Sequence, residues 1–419
     1  MSAPMAPGDG VDPVPGANAE PARAAAAYLR PGLLQLASLP PLSLYVHVPW
    51  CLRKCPYCDF NSHAATQEVP EDAYVAALCA DLESALPLVW GRPVSSVFIG
   101  GGTPSLLSGA AVDRFLSAVR ARLPLAADCE ITLEANPGTF ERDRFQAFRD
   151  AGVNRLSLGV QSFDDESLRR LGRVHDAGQA RAAVEAAARL FGQFNIDLMY
   201  GLPGQDAAGA AADLEAALGY APPHLSLYEL TLEPNTLFAR FPPTLPDESE
   251  MERIEEALAR RVADAGLRRY EISAYAREGM RCRHNLNYWQ FGDYLGIGAG
   301  AHGKLSFPHR IVRQVRPRHP DAYLRAAATA AFVAEERELR RGELPFEFML
   351  NALRLVDGFD PSLFPQRTGL PPTAIAAAVH RLEARGLLAV TTDRIRPTEA
   401  GRRFLNDVQA EFLDGKTAP

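Results

Sequence analysis

Leu44–Ser62 reads LYVHVPWCLRKCPYCDFNS: an apolar run, then Cys51, Cys55 and Cys58 in C-x3-C-x2-C spacing. Thiolates this close in one loop are typical ligands of a shared inorganic centre, and iron–sulfur clusters are held mainly by cysteine. Three thiolates on a four-iron cubane leave one iron without a protein ligand, a vacancy that a small molecule can chelate. A tetrahedral zinc site would need a fourth ligand. His47 and His63 are at hand for it, but no second cysteine pair follows. A structural disulfide fits poorly with a chain that shows no export signal.

The rest of the composition frames that loop. At 419 residues the chain is long enough for two or three domains and a large core. Its 47% hydrophobic and 23% charged content is that of a soluble globular protein. A net charge of -7 lacks the basic footprint of a general nucleic-acid binder. Of six cysteines, three cluster in the loop; Cys79 and Cys129 read as small core residues, and the usage suits a reducing cytoplasm. No apolar run reaches the length of a membrane span. The first forty residues are rich in Ala, Pro and Gly and read as a mobile tail with a short helix at 22–29. They lack the pattern of a secretory signal, and Asp9, Asp12 and Glu20 count against a transit peptide.

From residue 42 onward, short apolar runs alternate with helical stretches. The runs are 42–48, 96–99, 130–134, 155–161, 195–200 and 225–230, the length of buried parallel strands. Helices are expected over 72–86, 109–123, 142–151, 177–190 and 207–218. Six β/α units in series predict a parallel sheet curved into part of a barrel, with function gathered at the carboxyl ends of the strands. The cysteine loop follows the first run. Gly100-Gly101-Gly102-Thr103 follows the second, where glycine lets a ligand approach the backbone. Glu134 closes the third run, Gln161 closes the fourth and Asp197 lies in the fifth. A polar residue in an apolar strand is costly unless it is paired, so each marks either a site or a satisfied buried network.

YVHVPWC, the cysteine loop, GGGTPS, LEANP, RLSLGVQSF, LGRVH and DLMYGLPGQ occur in an order that resembles the coproporphyrinogen-oxidase-like branch of the radical S-adenosylmethionine (radical SAM) superfamily. The resemblance covers roughly residues 42–235. It implies an α/β fold, a partial (β/α)6 TIM-like barrel of the radical SAM type. It also implies a [4Fe-4S] cluster on Cys51, Cys55 and Cys58 with Tyr57 beside them, the open iron holding the amino and carboxylate groups of SAM. Tyr45, Gly101, Gly102, Thr103, Glu134, Gln161, Arg173 and Asp197 would contact SAM.

Beyond the barrel, a helix is expected at 251–265 and a strand at 269–275. Cys282-Arg-His284-Asn285-Leu-Asn-Tyr288-Trp289 then precedes the glycine-rich LGIGAGAHG of 295–303. Histidine ligates haem iron and aromatics cover a flat macrocycle, although a histidine beside aromatics is also a common packing feature. HNLNYW resembles a signature of the branch's haem-chaperone subfamily, which implies haem at His284, Asn285, Tyr288 and Trp289. Phe60 stands where the branch's true coproporphyrinogen dehydrogenase carries a fourth cysteine. Together these features point to a haem carrier rather than the dehydrogenase. The implied partners are haem, apo haem proteins of the respiratory chain and a second copy of the chain, with transient approach to a membrane and no nucleic acid. The last third is expected to be mostly helical and winged-helix-like: a helix over 321–341, helices at 347–355 and 371–385, and a hairpin in LLAVTTDRIRPTEAG. The expected division is a tail (1–40), a radical SAM core (41–245), an accessory region with the HNxxYW motif (246–310) and a C-terminal domain like the dehydrogenase's (311–419).

Overall fold

The structure, a computed structural model, describes residues 34–65, 68–138 and 142–413. The short helix expected at 22–29, with most of the expected tail, lies outside them. The six apolar runs form six strands: β1 (Leu42–Val48), β2 (Val94–Gly101), β3 (Leu125–Ala135), β4 (Arg155–Gln161), β5 (Gln193–Tyr200) and β6 (His224–Glu229). They pair in sequence order with parallel registers throughout. Between them run α1 (Glu71–Val89), α2 (Gly109–Arg122), α3 (Phe145–Asp150), α4 (Ala177–Leu190) and α5 (Ala207–Leu218). Ser108, Asp176 and Asp206 cap the starts of α2, α4 and α5, each accepting from an N–H of the first turn that has no helical partner.

Side chains alternate across a strand, and here the two faces differ in chemistry. Leu42, Leu44, Val46, Val97, Ile99, Leu133, Leu156, Leu158, Ile196 and Leu225 are buried in one core with the helices. The opposite face carries Ser43, Tyr45, His47, Ser96, Glu130, Thr132, Glu134, Arg155, Ser157, Asn195, Asp197, His224 and Ser226. The strands therefore curve around a polar interior that opens at their carboxyl ends.

The sheet extends beyond the six units on both sides. After α6 (Glu248–Asp264), β7 (Arg268–Arg269) and β8 (Ala274–Ala276) add antiparallel strands next to β6. After α7 (Arg283–Trp289), β9 (Asp293–Ile297) joins β1 in parallel. β10 (His302–Phe307), β11 (Arg310–Val315) and β12 (Glu335–Glu338) then continue antiparallel, completing a sheet of twelve strands. The boundary expected at 310/311 falls inside β11.

Two expectations are corrected. The strand expected over 269–275 is two short strands around a turn, because the Arg269 side chain donates to the carbonyls of Glu271 and Ile272 and folds the chain back. The single helix expected over 321–341 is a helix over Pro320–Ala326 followed by β12. Local helix propensity yields there to pairing with the free edge of β11, and all four β12 residues are charged and exposed, a protected edge. The C-terminal part holds helices Leu344–Ala352, Leu363–Thr368 and Thr373–Ala384 and the hairpin Leu388–Val390/Ile395–Pro397. Its separate core is built on Phe348, Phe359, Phe364 and Leu382.

Buried ion pairs fasten the added strands to the barrel. Asp81 of α1 accepts from Arg316 just past β11 at 2.9 Å, from the Tyr323 hydroxyl at 2.9 Å and from the Gly298 N–H at 3.2 Å. Asp293 pairs with Lys304 at 2.9 Å and Arg92 at 2.8 Å. Removing one partner of such a pair leaves an uncompensated buried charge. Asp81→Ala is therefore expected to cost about 3–5 kcal/mol, read as a lowered urea midpoint.

Candidate functional site

The cysteine loop is pinned at both ends. Trp50–Cys51 and His63–Ala64 form a small parallel pair, and the Lys54 ammonium donates to the carbonyls of Phe60 and Ser62 across the loop. The Asn61 amide donates to the carbonyls of Ala299 and Arg318, locking the loop against the glycine-rich turn after β9. Cys51, Cys55 and Cys58 are free thiols, half-buried, and all three line a cavity of about 510 Å³ at the mouth of the barrel. Burial raises the Cys51 and Cys58 thiols above their ordinary range; a coordinating metal reverses that by deprotonating the thiol outright. The Arg173 guanidinium donates to Cys55 Sγ at 3.6 Å, a cation beside the donor set. Three free thiols in one pinned loop, with a cation behind them, fit a cluster held by three thiolates.

The same cavity collects Tyr57, Gly101, Gly102, Thr103, Glu134, Gln161, Arg173, Asp197 and Asn285. Gly101 sits at φ +113°, and a Cβ there would lie 2.6 Å from the His47 ring; at Gly102 it would lie 2.6 Å from the Trp50 carbonyl oxygen. These glycines are required by the closeness of β1 and the residues just after it, and their N–H groups are taken up, Gly101 by Glu134 and Gly102 by the Val48 carbonyl. Gln161 adopts φ +70° where the β4–β5 register slips between Gly159 and Gln161. A left-handed glutamine at a bulge re-aims a strand-end side chain, a kind of strain that concentrates at functional sites. Arg173 also donates to Asn136 Oδ1 at 2.7 Å and the Gly159 carbonyl at 2.6 Å.

Glu134 Oε2 accepts from the Gly101 N–H at 3.0 Å. Burial, with the charge of nearby Asp197, pushes its carboxyl up to about 7, while the Gly101 N–H opposes the shift. Asp197 is raised by burial as well, although the Asn195 amide at 2.7 Å and the Ser157 hydroxyl at 3.2 Å donate to it. Two carboxyls in one buried space favour an incoming cation.

The remaining candidates are placed elsewhere. Tyr45 bonds His47 Nδ1 at 2.9 Å and lines a second cavity of about 420 Å³, which shares Asp59, Phe60, Gly101 and Glu134 with the first. The HNLNYW residues lie on α7, where successive side chains point about 100° apart, so they do not form one surface. Asn285 faces the cysteine cavity and Tyr288 the second cavity. Trp289 lies under the Arg354 guanidinium at 4.3 Å. His284 is enclosed at 2% exposure: its ring stacks on Phe98 at 4.8 Å and meets Tyr288 edge-on at 4.9 Å, and its Nδ1 lies 3.1 Å from the Ser96 hydroxyl. Burial, aided by the Arg155 charge, depresses this imidazole to about 3.

Several interior residues escaped the sequence reading. Glu130 accepts from the N–H groups of Arg283 and His284 at the start of α7. Arg155, Asn195, His224 and Ser226 line the first cavity, and His224 bonds Asn195 at 2.7 Å and Tyr270 at 2.9 Å. Their signal was further polar residues at alternate positions of the apolar runs, as with Asn195 beside Asp197 and Glu130 before Glu134.

Fold and site together are those of the radical SAM class. The Radical SAM superfamily model matches residues 45–216, and the HemN C-terminal domain model matches 339–404. The chain is 50% identical over 380 residues to heme chaperone HemW of Escherichia coli K12, covering 90% of this chain and 100% of that one. It is 44% identical to heme chaperone HemW of Haemophilus influenzae (90% and 99% covered) and 41% identical to the mitochondrial radical S-adenosyl methionine domain-containing protein 1 of Mus musculus (88% and 87%). The solved coproporphyrinogen III oxidase HemN of Escherichia coli aligns with TM-score 0.76 at 26% identity over 90% of this chain and 91% of that one. The chain belongs to the HemW family of radical SAM proteins. That membership carries a [4Fe-4S] cluster and SAM as cofactors.

SAM bound through its amino and carboxylate groups stays cationic at its sulfonium, and a cation beside Glu134 favours the carboxylate. SAM binding to the cluster-loaded protein is therefore expected to release a proton near pH 6.5 and to weaken by up to about tenfold per pH unit below 7. Calorimetry in buffers of different ionisation enthalpy measures this, and Glu134→Gln is expected to remove Glu134's share of the release, leaving the proton that the SAM ammonium loses on chelating iron.

Proposed function

We propose that this protein is a haem chaperone that keeps a radical SAM cofactor site. The observation that carries the reading is the end-to-end match, at 50% identity, to a protein named as a heme chaperone. In this reading Cys51, Cys55 and Cys58 hold the cluster, and the fourth iron is left to the amino and carboxylate groups of SAM. Gly101, Gly102 and Thr103 line the space for SAM at the strand end, Glu134 and Asp197 face its positive charge, and Gln161, Arg173 and Tyr57 fix its orientation against the loop. A cluster held there would supply one-electron reduction of the SAM sulfonium. The chain's own residues shield that space, holding it behind the pinned loop and the polar barrel wall.

The HNxxYW helix is the haem-related element of this reading, with Asn285 facing one cavity and Tyr288 the other. The acceptors are apo haem proteins of the respiratory chain, met at a membrane by a cytoplasmic protein that pairs with a second copy of itself. No helix among the described residues is long and apolar enough to cross a membrane.

Coproporphyrinogen oxidation is the second reading, favoured by the HemN structure that aligns over 90% of the chain. Against it stands Phe60, 61% exposed in the loop, in the place of that enzyme's further cysteine. Anaerobic reconstitution followed by haem titration and a coproporphyrinogen turnover assay on one preparation separates the two. Saturable haem binding without turnover is expected; turnover without stable haem binding sinks the chaperone reading. In the same preparation Cys55→Ser is expected to lose the four-iron absorbance, and a full cluster in that variant contradicts the three-thiolate site.

A further inference from the structure

The second cavity has a chemistry distinct from the first. It lies on the other side of the shared wall formed by Phe60, Gly101 and Glu134, and Tyr288 and Tyr294 sit in its lining with ring centroids 4.3 Å apart. The guanidinium-bearing Arg318 and the imidazole of His302 complete it. Histidines gather here: His47 is in the lining, its neighbours include His302 and His63, and His63 in turn lies 5.2 Å from His319.

Two of the obvious imidazoles are not offered to this cavity. His47 is held at both ring nitrogens, by the Tyr45 hydroxyl at 2.9 Å and the Asn61 carbonyl at 2.8 Å. His284 bonds Ser96 through Nδ1 and, although its Nε2 is unpartnered, is walled in by Phe98 and Tyr288 and does not line this cavity. His302 is exposed, and among the described residues its ring makes no hydrogen bond. Its backbone is rigidly placed at the start of β10, opposite Val315. β9 approaches so closely that a Cβ on Gly296 would lie 1.9 Å from the His302 carbonyl oxygen.

We propose that the second cavity is the haem seat, with His302 as the axial ligand to iron, Tyr288 and Tyr294 against the macrocycle, and Arg318 receiving a propionate. The proposal rests on the haem-chaperone reading and names the residues that would carry it. A lining with the rings of Tyr45, Phe60, Tyr288 and Tyr294, the His302 imidazole and the Arg318 guanidinium fits a flat ring that carries a Lewis-acidic metal, and with Asp59 and Glu134 also in the lining Arg318 is the group there suited to a carboxylate. Partial burial and the neighbouring charges of Arg318 and Arg313 lower the His302 imidazole, with Glu335 opposing, so the ring is in the neutral form that binds metal. The shared wall places that seat next to the cluster cavity, with Phe60 at the border of both.

The test is titration of haemin into the cluster-loaded full-length protein, followed by Soret and electron paramagnetic resonance spectra. The wild-type protein is expected to saturate with a histidine-ligated spectrum. His302→Ala is expected to weaken binding at least tenfold and lose that signature, with added imidazole restoring the spectrum. Arg318→Ala is expected to weaken binding severalfold with the spectrum unchanged, which a mere folding defect would not do. If His302→Ala binds with wild-type affinity and spectrum, the seat is wrong and the chaperone reading stands. If the wild-type protein shows no saturable haem binding, both fall.

Discussion

The turn Gly298-Ala299-Gly300 is the contact on which the two halves of the molecule depend. A side chain at Gly298 would lie 2.3 Å from the His47 carbonyl oxygen, and one at Gly300 would lie 2.1 Å from the Asn61 amide nitrogen. Both positions also have positive φ, at +99° and +80°, so glycine is required twice over. The backbone of the turn is thereby pressed against the end of β1 and against the cysteine loop. The Tyr74 hydroxyl fixes the arrangement by donating to the His47 carbonyl at 2.6 Å and accepting from the Ala299 N–H at 2.9 Å. Asp81 holds the neighbouring Gly298 N–H. The loop that carries the three thiols is therefore positioned as much by the accessory strands as by the barrel.

This coupling explains why residues far apart in the chain share one mouth. Asn61 in the cysteine loop bonds the carbonyls of Ala299 and Arg318, so the second cavity borrows a wall from the first. Displacing the turn would move Arg318 and His302 together with the thiols. The cysteine loop and the second cavity are joined through Asn61 and two glycines that cannot be substituted without moving the backbone. α7 also touches both cavities, through Asn285 and Tyr288, and its start is held by the Glu130 carboxylate.

The legible parts of the sequence were those with a local cause. Six strands, the cysteine loop and the strand-end residues Glu134, Gln161 and Asp197 follow from apolar runs interrupted by polar groups, and all three residues meet in the first cavity. The extension of the sheet by β9 to β12 was not legible, because antiparallel pairing at a free edge is decided by tertiary contact; the charged run Glu335–Glu338 looks helical by composition. HNLNYW was legible as a motif but not as a surface. Spacing alone does not reveal that the stretch is helical, and only the helix sends His284, Asn285 and Trp289 in different directions.

The polar interior also sets how the protein responds to its cofactors. Glu134 and Asp197 are both raised by burial, and buried carboxyls cost stability when they ionise without a cation. Thiols raised by burial at Cys51 and Cys58 add to the same imbalance. A cluster that takes the thiolates, and a cationic ligand that meets the carboxylates, remove both costs at once. Ligands that bind the folded state alone stabilise it by mass action. The barrel mouth is thus organised for its ligands in advance, and part of its stability is supplied when they arrive.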